Sequence, residues 1–177
     1  MKTTLKSILT LALVMGLGIM AHAQKTLTAP ASATILADLT ITLDGTQNEI
    51  AFGILSSSTR GLVTLDANGT TGNANTGTTT NLAKFNLAGA NNAVTVQYDA
   101  NVTLTNGTPA NDMTMTPEVV GAALVAGQGS AAAVLNNAQV TLASGVYFLW
   151  VGGSIPQLAS QTMGTYAGTF NINVEYN

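Results

Sequence analysis

The sequence contains no cysteine, and its single histidine, His22, lies near the N-terminus. Without cysteine the chain can form no disulfide and has no thiolate nucleophile, so it must depend on an apolar core for its stability. If the first 23 residues are removed, as argued below, histidine is lost as well. The rest of the chain then has no Ser-His or Cys-His nucleophile pair and no histidine ligands for zinc.

Charged residues are also scarce, at 7% of the chain. After residue 23, three basic residues (Lys25, Arg60 and Lys84) stand against eight acidic ones, which gives a net charge of minus five. Three scattered cations cannot neutralise a run of phosphates. We therefore expect neither nucleic acid nor an anionic membrane surface as a partner.

The acidic residues are spread along the chain, and most lie near glycine or asparagine, where turn-forming aspartate is common. A glycosidase would need two carboxyl groups held close together, and this spacing suggests no such pair. Asp66-Ala67-Asn68-Gly69 and Asp99-Ala100-Asn101 place oxygen atoms at alternate positions, but a calcium loop gathers many more oxygens, including a bidentate acid. We expect turns at both places, no metal, no cofactor and no catalytic residues, so the chain is not predicted to be an enzyme.

One apolar run stands out by its length, from Ile8 to Met20. It follows the basic residues Lys2 and Lys6 and ends at Ala21-His22-Ala23. A basic start, a short apolar run and small residues before the cleavage point form a secretory signal peptide. The alternative, an uncleaved membrane anchor, would need about 20 apolar residues. The sequence thus predicts a signal peptide over residues 1–23, a single domain over residues 24–177, and export to the periplasm, the cell surface or the medium.

The segment from Leu27 to Leu43 alternates between apolar odd positions and mostly polar even positions. A period of two is typical of a β-strand. The alternation lasts 17 residues, whereas an ordinary strand has about 5 to 6. We expect that this segment either bends in the middle or serves two structural units.

Further short alternating runs follow, and turn pairs such as Asp44-Gly45 and Asn106-Gly107 separate them. The Ala-rich stretch 119–135 is interrupted by three glycines and has no capped helical stripe. Eight or nine short strands at this spacing predict an all-β fold, an immunoglobulin-like antiparallel β-sandwich, with no helix longer than about two turns. The runs are centred on Ile50, Phe52 and Ile54; Val94, Val96 and Tyr98; Val102 and Leu104; Met113 and Met115; Val140 and Leu142; Phe148 and Trp150; and Phe170, Ile172, Val174 and Tyr176.

Two segments could carry a binding site if the domain acts alone. The stretch from Asn68 to Asn81 is rich in Gly, Asn and Thr and predicts a long polar loop or hairpin tip. Phe148 and Trp150 share one face of a strand, where an aromatic residue is usually buried, so we interpret them as core residues. A secreted binding module would instead use Trp150, Tyr147 or the loop tips.

The chain closes with the stretch Gly164–Phe170, which runs into an alternating strand that ends in tyrosine. This ending resembles that of a secreted bacterial family, the domain of unknown function 4402. The early strand Leu39–Leu43 followed by Phe52-Gly53, the stretch Phe85–Gly89 and the triplet Val151–Gly153 are further similarities. Together they cover nearly all of the chain after the signal peptide, and the resemblance implies no catalytic residue.

Counted back from Asn177, Gly164 is the fourteenth residue and Tyr176 the penultimate one, with alternating apolar residues between them. In this pattern the C-terminal strand resembles that of chaperone-usher pilins and their spore-coat-U-like relatives, which carry a glycine and an aromatic residue at the same two places. The resemblance implies a strand that offers an apolar row and a free backbone edge to an exchanged strand, first from a periplasmic chaperone and then from another subunit. The alternative is an ordinary last strand of a complete sandwich.

The leading hypothesis is therefore a structural subunit of a cell-surface fibre, assembled by strand exchange. The expected partners are copies of the same chain or other fibre subunits, with a periplasmic chaperone before assembly. The alternative is a stand-alone secreted binding module, for example for a glycan. The candidate interface residues under the first hypothesis are Leu27, Ile35, Gly164, Phe170, Ile172, Val174 and Tyr176.

Overall fold

A computed structural model describes residues 29–158 and 161–177. The predicted signal peptide and Leu27 lie outside these residues. The chain divides into two compact units, residues 1–34 and residues 35–177. In the first unit, the described residues 29–34 are exposed and form no strand.

The regular secondary structure of the second unit is mainly β-strand. Where the sequence predicts eight or nine, the described residues form ten. They are β1 (Thr40–Leu43), β2 (Val63–Leu65), β3 (Ala83–Ala88), β4 (Ala93–Tyr98), β5 (Val102–Leu104), β6 (Met113–Ala122), β7 (Ala132–Ala133), β8 (Ala138–Thr141), β9 (Val146–Ile155) and β10 (Ile172–Tyr176).

The strands form two antiparallel sheets that pack face to face. The larger sheet has the order β1-β3-β9-β6-β5, with β2 paired to the end of β9 and β7 paired to the end of β6. The smaller sheet has the order β10-β4-β8. The predicted all-β antiparallel β-sandwich is confirmed.

The main core lies between the two sheets, because alternate residues of each strand point inward. Leu87, Leu149 and Val151 of the larger sheet meet Val94 and Val96 of the smaller one, and all five are at most 1% exposed. A second cluster continues the core beside β2 and β5. It contains Phe52, Val63, Leu65, Leu82, Val102, Met115, Ile155 and Leu158.

The outer face of the larger sheet carries a separate small core around Trp150, which is 1% exposed and packs with Val120 and Ala67. Two loops cover it, and reciprocal hydrogen bonds join them. The Asn68 side-chain N–H groups donate to the carbonyls of Gln128 (3.0 Å) and Ala131 (2.9 Å), while the Gln128 side chain donates to the Ala67 carbonyl (3.1 Å). Trp150 is thus a core residue, as predicted, but on the face of the sheet away from the main core.

Helical structure among the described residues is limited to three 3₁₀ turns, Thr70–Gly72, Pro109–Asn111 and Val125–Ser130. Glycine weakens a helix by about 1 kcal/mol relative to alanine, which agrees with the absence of a regular helix from the Ala-rich stretch. The prediction of no helix longer than two turns holds for these residues. None of the helices in the described ranges is long and apolar enough to cross a membrane.

The predicted strand over Ile50, Phe52 and Ile54 is wrong. Only isolated bridges form there, Ala51 with Asn81 and Ile54 with Thr78. Gly53 has φ of 78°, and a Cβ at this glycine would overlap the backbone of residues 77 and 78. This left-handed residue interrupts the alternation, so Phe52 is buried but Ile54 is 83% exposed.

An ion pair fixes the end of β1 to β3. The Lys84 ammonium lies 2.6 Å from Asp44 Oδ2, and Asp44 Oδ1 accepts hydrogen bonds from the backbone N–H groups of Thr46 and Gln47. The Lys84 ammonium and these N–H groups hold the pKa of the Asp44 carboxyl well below its usual range. Asp44 therefore closes the turn after β1 as a charged carboxylate.

This ion pair predicts an acid-dependent contribution to stability. Because the pKa of Asp44 is depressed in the folded state, its contribution is complete above the unfolded value of about 4 and is lost as the pH falls through the folded value. The melting temperature of Asp44→Asn should lie below that of the wild type at neutral pH and converge with it in acid. A difference in melting temperature that stays constant down to pH 2, about the acid limit of the measurement, would contradict this role for Asp44.

Candidate strand-acceptor site

The edge strands β1 of the larger sheet and β10 of the smaller sheet lie on the same side of the sandwich. Leu39, just before β1, and Tyr176, at the end of β10, both approach Gly89. Phe85 of β3 and Phe170, just before β10, have ring centroids 6.3 Å apart. The edges of the two sheets therefore lie close together on this side, and no strand among the described residues pairs with the outer edge of β1 or β10.

The backbone of β10 alternates between bonded and outward-facing residues. The Asp99 N–H donates to the Asn171 carbonyl and the Asn177 N–H donates to the Ala93 carbonyl. In an antiparallel ladder the residues between such pairs direct their N–H and C=O groups away from the neighbour strand. Ile172, Val174 and Tyr176 thus present their backbone groups at the free edge.

The same rule applies to β1. The Asp44 N–H donates to the Lys84 carbonyl, so the backbone groups of Thr42 and Thr40 are also hydrogen-bonded to β3. The backbone N–H and C=O groups of Ile41 and Leu43 therefore point away from β3, toward the outer edge. Two backbone edges that no described strand pairs with therefore border one side of the sandwich.

Partly exposed apolar side chains lie along the surface between these edges. They pack against the main core but stay partly exposed, in contrast to the fully buried residues behind them. We call this surface the edge groove. Its residues are Leu39, Ile41, Phe85, Phe170, Ile172, Val174 and Tyr176.

The structure places the predicted interface residues in three different settings. Phe170, Ile172, Val174 and Tyr176 lie together in the edge groove. Ile35 lies before β1 and is 96% exposed, without a place in the core. Gly164 lies outside the groove, with the side chain of Asn106 as the nearest group to a Cβ built on it, and Leu27 is outside the described residues.

The C-terminal stretch is not one continuous strand. Ala167 forms a bridge with Thr105, next to β5 of the larger sheet, and only from Ile172 does the chain pair with β4 of the smaller sheet. Asp99 fixes the crossing, because its Oδ2 accepts hydrogen bonds from both the backbone and the side-chain N–H of Asn171, each at 2.8 Å. The corner sets where the free edge begins.

The two aspartate patterns serve as turns. Asp66 accepts hydrogen bonds from the N–H groups of Asn68 and Gly72, and Asp99 binds Asn171 as described above. Within the described ranges no three His, Cys, Asp or Glu side chains gather as metal ligands would. Each carboxylate accepts N–H groups of the chain itself.

We accordingly expect the melting temperature to be independent of divalent metal. If the protein is incubated with a chelator and then heated, the unfolding transition measured by circular dichroism should coincide with that of the untreated protein. A decrease of about ten degrees in chelator would show a metal site, with Asp66 and Asp99 as the first residues to replace.

The aromatic residues considered for ligand stacking are not free surface groups. Trp150 is covered by the two loops joined through Asn68 and Gln128. Tyr147 is half-buried against the main core, and burial raises the pKa of its hydroxyl. A sugar could stack on Trp150 only after these loops had opened.

Sequence reasoning missed the β3 side of the groove. Leu39 and Ile41 belong to the predicted early strand. Phe85 enters the sequence analysis only as part of a stretch that resembles the family, and no interface role is predicted for it. The alternation of Ala83, Phe85 and Leu87 is a period-two signal that predicts β3. Which of these residues meet β10 depends on sheet packing, which the alternation does not reveal.

Comparison with known proteins identifies the family. The family model described as "Domain of unknown function (DUF4402)" matches residues 39–176, and the chain belongs to this family. The match begins at Leu39, where the chain enters the core, and ends at Tyr176, the last residue of β10. None of the curated proteins compared with the chain matches it.

Proposed function

We propose that this member of the DUF4402 family is an exported structural subunit of a cell-surface fibre, and not an enzyme. Subunits assemble by strand exchange, in which an extended segment of one copy completes the sandwich of the next. The observation that carries the proposal is the edge groove, where two free backbone edges border a row of half-buried apolar side chains.

The occupant we propose is the N-terminal arm, residues 24–37, of a second copy. The arm alternates apolar and polar residues, so in an extended conformation it has one apolar side. Its described residues 29–34 form no strand, and Ile35 is 96% exposed. The apolar row of the arm therefore matches the apolar row of the groove in both period and chemistry.

The sizes of the arm residues suit a shallow groove. Ala29, Ala31 and Ala33 form the middle of the row, while Leu27 and Ile35 stand near its ends. Burial of a leucine or isoleucine side chain contributes about 1.5 to 3 kcal/mol. Backbone hydrogen bonds to the outward-facing groups of Ile172 and Val174 add to this, as in other complexes that extend a sheet by one strand.

A free apolar edge is a site of unwanted association until its proper partner arrives. A periplasmic chaperone that lends a strand to the groove would protect the subunit during export. This partner rests on the same chemistry as the subunit contact, because either one supplies an extended strand with an apolar row.

The proposal is tested with purified protein that begins at Gln24. Size-exclusion chromatography over a concentration series and negative-stain microscopy should show oligomers or fibres, and deletion of residues 24–34 should leave a folded monomer. If the wild type stays monomeric at high concentration, with or without a chaperone, and the deletion changes neither size nor stability, a stand-alone binding module is the better account.

A further inference from the structure

The hydroxyl of Tyr176 joins two separate parts of the chain at one end of the edge groove. It accepts a hydrogen bond from the Ala90 N–H at 2.6 Å and donates one to the Ala37 carbonyl at 2.9 Å. A phenol has one proton to donate, so this proton is committed to Ala37. Replacement by phenylalanine would remove both bonds and keep the ring.

Gly89 makes room for this arrangement. A Cβ at Gly89 would overlap the Tyr176 hydroxyl and lie 3.2 Å from the Leu39 side chain. The glycine is thus required by close packing at this position, whatever its backbone angles. The close packing at Gly89 and the two hydrogen bonds together fix the position of the hydroxyl.

The Ala37 carbonyl lies where the character of the chain changes. Two residues later Leu39 packs against the main core, and two residues earlier Ile35 is 96% exposed. Residues 37–39, which we call the root, join the arm to the sandwich. The Tyr176 hydroxyl holds the first residue of this root in place.

We infer that Tyr176 is a latch that keeps the arm out of its own groove and so reserves the groove for a second copy. This inference rests on the proposed function and names a control on the same site. To enter the groove of the same chain, the arm would have to fold back, so the chain would have to reverse its direction within the root. The root sequence Ala37-Asp38-Leu39 has no glycine, and the Tyr176 hydroxyl holds its first carbonyl in place against such a reversal.

The first readout concerns the latch alone and does not need assembly. In Tyr176→Phe the Ala90 N–H loses its acceptor, so its hydrogen exchange should accelerate about fivefold, as expected for one hydrogen bond. Tyr98→Phe is the matched control, because it also removes a hydroxyl from the rim of the core, one that donates to the Val134 carbonyl. The control should leave exchange at Ala90 unchanged.

The second readout measures which groove the arm enters. Because the chain has no cysteine, Ser32→Cys on the arm and Asn173→Cys on β10 give two unique thiols for a short bis-maleimide crosslinker. In an otherwise wild-type chain we expect crosslinks between chains, seen as a ladder on a denaturing gel. With Tyr176→Phe added, the share of crosslinks within one chain should increase severalfold, and with Tyr98→Phe it should not.

The outcomes separate the two claims. The latch is overturned if Tyr176→Phe leaves the share of crosslinks within one chain unchanged. It is also overturned if most crosslinks already form within one chain before Tyr176→Phe is introduced. Unchanged hydrogen exchange at the Ala90 N–H in Tyr176→Phe overturns it as well. Absence of any crosslink between arm and groove, with or without Tyr176→Phe, overturns the proposed function itself.

Discussion

Ile35→Asp should abolish assembly while the domain remains folded. Ile35 is 96% exposed and contributes nothing to the core of its own domain. In the proposed fibre contact the side chain at this position enters the apolar edge groove of the next copy, where an unpaired carboxylate is strongly unfavourable. We expect a monomer by size-exclusion chromatography at concentrations where the wild type forms fibres, with an unchanged unfolding transition.

Two variants sharpen this test. Thr34→Asp adds the same charge one residue away, on the polar side of the arm, and should still assemble. Ile172→Asp places the charge inside the groove of β10, next to the main core, and should damage folding as well as assembly. Fibres of normal length from Ile35→Asp would refute the proposed contact.

Trp150→Ala should cause a large loss of stability. The side chain is 1% exposed, packs with Val120 and Ala67, and has its ring centroid 6.3 Å from that of Phe148. Truncation of a buried aromatic residue to alanine costs about 3 to 5 kcal/mol. Domains of this kind have only about 5 to 15 kcal/mol of stability, so the variant should be close to unfolding.

The measurement is urea denaturation followed by circular dichroism, since Trp150 is the only tryptophan and its fluorescence is lost with it. Leu124→Ala is the control, because this residue is also apolar but is exposed on the neighbouring loop, and it should change stability by less than about 0.5 kcal/mol. A loss of stability in Trp150→Ala no larger than in Leu124→Ala would show that the outer core contributes nothing.

Alternation predicted the fold class because a sandwich needs strands with one buried side, and such strands leave a period of two in the sequence. The prediction failed where one residue broke the rule. At Gly53 the left-handed backbone turned Ile54 outward, and the sequence shows the glycine but not its angle. Within the described part of the long alternation Leu27–Leu43, only Thr40–Leu43 belongs to a strand, so a period of two alone does not fix where a strand begins.

The candidate site was found in part. The C-terminal strand was identified from its alternation and its resemblance to pilins, and the four residues from Phe170 to Tyr176 do lie together. Their neighbours across the groove, Leu39, Ile41 and Phe85, come from strands that are far away in sequence. Only the packing of one sheet against the other brings them close, and a period of two carries no information about that.

The corner at Asp99 and Asn171 bears on how a subunit would resist force. Each edge strand is held to its neighbour by an antiparallel ladder, β1 to β3 and β10 to β4. In a fibre joined through arm and groove, tension runs along these strands, so the hydrogen bonds of a ladder share the load and must break together. The two hydrogen bonds from Asn171 to Asp99 lie at the start of the β10 ladder. In such a fibre they would anchor the loaded strand against sliding along β4, at the point where its ladder begins.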